Sequence, residues 1–300
     1  MSRILVLGAT GKLAGIVAGK LAGMPGVDLR LASSREAGRE ALAKRFVHAD
    51  VVLADWYDEA SLVAAMRGVD RVLFITPDTR TDEAIVTPNV IRAAKTAGSI
   101  AQIVRLVAIP QGMTTAALPP EFAATRAGAA MHLVARPLLD ASGLPVTYLN
   151  VPCWIMFNLG WFIAPEVRAR RRIAMPAGCD APRHWVSEDD IADAATRLLC
   201  DPAVQHAGRE YVLTARERVV FSQLAGFIAA ALGEPVAFVE DEAPLRAAMG
   251  SRYANVVQYL RLDGAVYGGV VATETIRKLL GRPPETLPEY LRRKRALFIP

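Results

Sequence analysis

The chain has 300 residues, 52% of them hydrophobic, and a formal net charge of +5. That length fits one large α/β domain or a nucleotide domain with a smaller appendage, and the apolar share is ample for a sizeable core. Three widely spaced cysteines, Cys153, Cys179 and Cys200, argue against a disulfide framework and for a reducing compartment, and four histidines show no metal-like spacing with them, so no metal centre is expected.

The opening stretch carries the clearest signal. Ile4 to Leu7 reads as a buried parallel strand, a turn follows through Gly8, Thr10, Gly11, Lys12 and Leu13, and an Ala/Gly/Leu/Val run reads as a helix to about Leu21. Gly8 permits the tight strand-to-helix turn, Gly11 lets backbone N–H groups approach a pyrophosphate, and Gly15 lets the helix pack close to the sheet. The helix N-terminus then meets an anion with its partial positive charge. No charged segment followed by an apolar run precedes this strand, so no signal peptide is read and a cytoplasmic location is expected.

Strand and helix signals then alternate: strand Asp28–Ser33, helix Glu36–Phe46, strand Val51–Ala54, helix Asp58–Arg67, strand Arg71–Ile75, helix Ala84–Thr96, strand Gln102–Ala108, helix Phe122–Ala141 and strand Val146–Asn150. This alternation predicts an α/β, Rossmann-like, doubly wound parallel sheet. The second strand ends in Ser33, Ser34 and Arg35, where an NAD-selective site places an acid for the ribose 2′-hydroxyl. Arg35 suits a 2′-phosphate instead, and the sequence predicts NADP(H) over NAD(H). Asp55, after the third strand, is placed to accept from the adenine amino group. Thr76 and Pro77 close the fourth strand and complete the predicted nucleotide site.

Past Pro152 the pattern loosens. Pro152–Pro165 is the most apolar stretch but is too short for a membrane span, which needs roughly 20 apolar residues. Trp154, Met156, Phe157 and Trp161 within it are candidate walls of an aromatic-accepting pocket, with core packing the equal alternative. Ser187 precedes an Ala/Leu helix, Arg209–Thr214 reads as a strand, Ser222 is expected to cap a helix ending at Gly233, Val236–Glu240 is a short strand, and the C-terminal third is mostly helical. The expected division is residues 1–151 for the nucleotide and a smaller, mostly helical region, residues 152–300, for the substrate, with segments free to return to the main sheet. Basic runs at Arg168–Arg172 and Arg292–Arg295 are read as solvated surface, because no nucleic-acid-binding motif accompanies them.

These residues together resemble the NmrA-like atypical short-chain dehydrogenases/reductases, a group that includes type 2 quinone oxidoreductases, triphenylmethane reductase and NADP-sensing regulators. The likeness runs nearly end to end: Gly8-Ala9-Thr10-Gly11-Lys12, Ala54–Leu62, Gly68–Val72, Ile103–Leu106, His132 ten residues before Ser142-Gly143-Leu144-Pro145, Trp154–Leu159, Asp190-Ile191-Ala192 and Gly281-Arg282-Pro283-Pro284. The resemblance implies NADPH-dependent hydride transfer to a conjugated or aromatic small molecule such as a quinone or enone, by a monomer or homodimer with no nucleic-acid or membrane partner. Its alternative is a non-catalytic NADP(H) sensor acting through a protein.

A standard short-chain reductase works with a serine and a Tyr-x-x-x-Lys pair. Here Arg126–Arg136 contains neither tyrosine nor lysine, and Leu106–Ile109 is apolar where the serine is expected. Tyr290 and Lys294 have the right spacing but follow all the nucleotide-binding strands, so they are read as a coincidence. His132 is the remaining candidate for the catalytic role, because imidazole exchanges protons near neutral pH; its plain alternative is a packed histidine.

Overall fold

The computed structural model describes residues 2–300. In chain order the elements are β1 (Ser2–Val6), α1 (Lys12–Leu21), β2 (Val27–Ser33), α2 (Glu36–Arg45), β3 (Asp50–Leu53), α3 (Glu59–Met66), β4 (Arg71–Phe74), α4 (Glu83–Ala97) and β5 (Gln102–Val107). There follow α5 (Pro120–Ala123), α6 (Ala129–Asp140), β6 (Val146–Asn150), β7 (Trp154–Ile155), α7 (Leu159–Phe162), α8 (Ala164–Arg170), β8 (Arg172–Met175), β9 (Arg183–Val186), α9 (Glu188–Cys200) and β10 (Glu210–Val212). The chain ends with β11 (Arg218–Val219), α10 (Phe221–Leu232), β12 (Ala237–Glu240), α11 (Ala243–Met249), α12 (Tyr253–Val266), α13 (Thr275–Leu280) and α14 (Leu287–Arg293).

One compact unit gathers the residues through Ile109 with Met131–Asn150 and Ile191–Val212. It is built on a seven-stranded sheet of order β10-β6-β5-β4-β1-β2-β3 in which every pair is parallel. Its central strands are largely apolar, as expected of strands covered on both faces: Ile4, Leu5, Val6, Val72, Leu73, Ile103 and Val104 are fully buried. The strand read at Arg209–Thr214 does return, as β10, and pairs with β6 in the register Glu210↔Tyr148.

The second unit gathers Pro110–Ala130, Val151–Asp190 and Leu213–Pro300. It holds two small sheets, β11-β9-β7 and β12-β8, among mostly helical segments. Its interior is tied by an ion pair. Arg183 donates to both carboxylate oxygens of Asp263 at 2.7 Å, and to the carbonyls of Cys179, Ala181 and Leu260. Trp154 Nε1 donates to the same Asp263 at 2.8 Å, and the guanidinium lies 4.5 Å from the Phe221 ring centroid. No helix among the described residues is long and apolar enough to cross a membrane.

Two sequence expectations change. The helix expected over Phe122–Ala141 is two helices, because Arg126 and Gly128 both take positive φ between them. A Cβ at Gly128 would stand 2.4 Å from the Tyr267 hydroxyl, which accepts from Ala129 N–H at 2.9 Å. Ser222 lies inside α10 and does not cap it: its hydroxyl donates to Asp180, and Gln223 Oε1 accepts from Val220 N–H at the helix entrance. The apolar stretch after Pro152 forms β7, a 3₁₀ turn over Met156–Asn158 and α7. Strands β8 and β9 went unread, since arginines occupy or flank both.

Gly128→Ala is expected to destabilise the protein by about 1–3 kcal/mol, from left-handed strain together with the contact to Tyr267. Tyr267→Phe removes that contact, so the double variant should cost less than the sum of the singles in urea denaturation; full additivity would rule the contact out.

Candidate functional site

Because every strand of the large sheet is parallel, the ends of β1 to β5 open on one edge, and the predicted nucleotide residues leave from there. Leu7 N–H donates to Leu73 O and Ala9 N–H to Ala32 O, so the turn after β1 is held from both sides. Gly8 takes φ +65, and a Cβ there would sit 2.8 Å from the Trp56 ring. Gly11 N–H closes the turn onto Gly8 O at 2.8 Å, and Gly11 itself is the N-cap of α1. No side chain caps that helix, and no acid lies in its first turn. A Cβ at Gly15 would press to 3.2 Å on Ala9 O. This cradle of backbone, tight against any added side chain at Gly8, Gly11 and Gly15 and facing an uncapped helix end, fits a diphosphate.

The neighbouring strand ends complete the rim. Ser33 Oγ accepts from Arg35 N–H at 3.2 Å and donates to Arg35 O at 3.0 Å, shaping the turn into α2. Ser34 and Arg35 are exposed, and the Arg35 guanidinium engages no partner among the described residues. Asp55 turns back on its own loop, with Oδ1 accepting from Tyr57 N–H at 3.0 Å. Thr76 is buried after β4. Gly8, Thr10, Gly11, Lys12, Leu13, Gly15, Ser34, Arg35, Asp55, Thr76 and Pro77 thus all lie on the loops or helix starts that follow β1 to β4.

Sequence reasoning passed over Trp56, Gly38 and Arg105. Trp56 packs on Gly8. A Cβ at Gly38 would fall 2.2 Å from Ser33 Oγ and 3.0 Å from Thr10 Cγ2, so that glycine seats α2 beside the phosphate loop. Arg105 announced itself as the one charge inside an apolar strand. It is 0% exposed and pairs with Glu83 at 2.6 Å.

The ends of β5 and β6 are tied to backbone. His132 is 3% exposed, and its Nδ1 accepts from Ala108 N–H at 3.0 Å, which leaves the hydrogen of the neutral ring on Nε2. Asn150 holds both backbone groups of Ile109 and donates to Glu210 at 2.6 Å. Burial pushes the Glu210 carboxyl up, but hydrogen bonds from Arg136 and Asn150 outweigh it and hold the group below its ordinary range.

The four candidate pocket residues, all in the second unit, do not form one wall. Met156 is fully buried in the core, and Trp154 packs among Trp185, Phe221 and Phe162 with its nitrogen committed to Asp263. Phe157 is half-buried. Trp161, 47% exposed, lines a cavity of about 610 Å³ with Phe162, Glu166, Arg172 and residues of α11. Tyr290 is buried against Glu188 at 3.1 Å, and burial with that neighbouring charge raises its phenol, the reverse of what a proton-relaying tyrosine needs. The basic runs are engaged: Arg170, Arg171 and Arg172 pair with Glu166, Glu234 and Asp241, and Arg293 with Glu285 and Asp189. Among the described residues no group of His, Cys, Asp or Glu is arranged to hold a metal ion.

The model of the NmrA-like family matches residues 1–260. The chain belongs to the NmrA-like family. Among its relatives is a (4-alkanoyl-5-oxo-2,5-dihydrofuran-3-yl)methyl phosphate reductase of Streptomyces griseus, 29% identical and covering 99% of both chains. An NAD(P)H azoreductase of Xenophilus azovorans is 27% identical over 81% of this chain and 82% of that one. In structure, an NADPH-dependent quinone oxidoreductase of Escherichia coli solved with NADPH superposes with a TM-score of 0.76 at 26% identity, over 97% of this NmrA-like chain and 99% of the other.

Arg35→Ala should weaken NADPH binding by about 1.5–3 kcal/mol, the scale of a lost charged hydrogen bond, and leave NADH nearly unchanged. Paired calorimetric titrations check this; equal losses for both nucleotides would remove Arg35 from 2′-phosphate recognition.

Proposed function

We propose that this protein is an NADPH-dependent reductase that passes hydride to a conjugated or aromatic small molecule such as a quinone or enone. By family and fold it is an NAD(P)H-dependent oxidoreductase that takes NADP(H). The observation that carries the finer reading is a tight glycine turn at an uncapped helix start, beside strand ends whose polar groups grip the backbone. Gly8, Gly11 and the start of α1 hold the diphosphate, and Arg35 holds the 2′-phosphate. NADPH, once bound, supplies a hydride.

What this chain contributes beyond binding is position. Ala108 and Ile109 are fixed by His132 and Asn150, so the floor beyond β5 is rigid when an acceptor arrives. A delocalised acceptor spreads the charge of the incoming electron pair and needs no strong acid beside it, so orientation supplies most of the rate. His132, buried and committed to Ala108 through Nδ1, acts in this reading as a positioning residue. The relatives reported above, reductases of a furanone, of azo compounds and of quinones, support a conjugated acceptor.

The test is NADPH oxidation followed against a panel of quinones, azo and triphenylmethane dyes, enones and simple aliphatic ketones, beside a direct NADPH titration. Turnover is expected with conjugated acceptors and not with simple ketones. Tight NADPH binding with no turnover of any acceptor would instead make the protein an NADP(H) sensor. His132→Ala should lower kcat by roughly 10–100-fold, the scale of a misplaced geometry, and leave the shape of the pH–rate profile unchanged. Loss of one limb of that profile would make His132 the proton donor.

A further inference from the structure

Arg105 lies on β5 between Phe74 of β4 and Tyr148 of β6, with no exposed surface. Its guanidinium sits over the Phe74 ring, 4.1 Å from the centroid. Nη2 donates to Glu83 Oε1 at 2.6 Å and to Thr76 Oγ1 at 2.9 Å. Thr76 Oγ1 donates in turn to Glu83 Oε1, and Glu83 Oε2 accepts from Thr87 Oγ1 at 2.6 Å. Thr76 is the second residue of the loop that leaves β4 and Glu83 the first residue of α4, so one buried cluster holds both ends of the segment between them.

Stability alone does not account for this cluster. Two ions without solvent carry a large desolvation penalty, and apolar residues of similar volume would avoid it. Nε and Nη1 of Arg105 also lack a hydrogen-bond acceptor, so the guanidinium is not even fully satisfied where it is buried. What apolar residues cannot supply is a directional grip on the Thr76 hydroxyl, which here both donates and accepts. The gripped loop needs it. Thr79, a β-branched residue, takes φ +62, a conformation that persists only where the surroundings over-determine it. Tyr57 adds a further hold, its hydroxyl accepting from Asp82 N–H at 2.9 Å.

The loop lies where strand order reverses, beside Gly8, on the half of the sheet that carries the second mononucleotide of a dinucleotide. We propose that Arg105 and Glu83 are a positioning pair that holds the loop of residues 76–82 for the nicotinamide half of NADPH. This rests on the nucleotide site proposed above. Wild-type binding of NADPH is therefore measured first, and its absence would sink that site rather than the pair specifically.

The test is the double variant Arg105→Met/Glu83→Leu, which removes both charges and keeps the volume. Its melting temperature is expected at or above the wild-type value, while its Kd for NADPH rises about tenfold or more. Its Kd for adenosine 2′,5′-bisphosphate, which lacks the nicotinamide half, should stay within about twofold of wild type. A folded double variant that binds NADPH as tightly as wild type would reduce the pair to packing and overturn the proposal. So would an equal loss for both ligands. Should the double variant not fold, Thr87→Val decides: it deprives Glu83 of a hydrogen bond at a buried position outside the nucleotide site, keeps the shape, and is expected to weaken NADPH selectively, whereas wild-type affinity there would overturn the proposal.

Discussion

Seven strands that all run one way can be joined only by crossovers, and in this sheet the crossovers change direction once. The chain builds β2 and β3 outward from β1, then returns to lay β4 against the other side of β1 and continues to β5, β6 and β10. At that reversal the connections leaving β1 and β4 diverge, and a crevice opens between their carboxyl ends. The residues placed there follow from this constraint. Gly8 makes the turn because only a residue without Cβ fits under the Trp56 ring with φ +65, and Thr76 lies on the loop that leaves β4 beside it.

Buried arginines mark the two units in contrasting ways. Arg183 spends its donors on Asp263 and three carbonyls while packed on Phe221, a network whose donors all find acceptors. Satisfied networks of this kind specify one arrangement of a core. Arg105 keeps a strong partner in Glu83 but leaves two donors unanswered. The first arginine is explained by the fold around it; the second makes sense through the loop whose two ends it secures.

The chemistry open to the site follows from what its polar groups already do. Reductases that protonate an alkoxide need a group with a lowered pKa within reach of substrate. In this chain the imidazole at that level accepts from Ala108, the amide of Asn150 clasps Ile109, and the buried phenol with suggestive spacing, Tyr290, has its pKa raised beside Glu188. These groups stiffen the scaffold. A rigid floor beside a nucleotide cradle favours acceptors that take electrons easily and need holding more than activating.

Local signals were enough for the alternating half of the chain. Parallel strands buried on both faces read as short apolar runs, and Gly8 marked a turn by its conformational freedom, so β1 to β6 and the helices between β1 and β5 were legible to within a residue or two. The conformation of the glycine turn after β1 was legible for the same reason: it is set by the backbone, and adjacent residues encode it. Contacts across sequence distance were not legible. Gly128 breaks a helix because Tyr267 arrives over a hundred residues later, and β8 forms because β12 lies beside it in register. Whether Trp154 and Met156 line a surface or fill a core is likewise decided by partners such as Asp263 and Trp185, since an aromatic stripe looks the same from either side until something packs against it. Arg105 was visible as a charge in an apolar strand, but its meaning depended on Glu83 and Thr76, which only the folded sheet brings within reach.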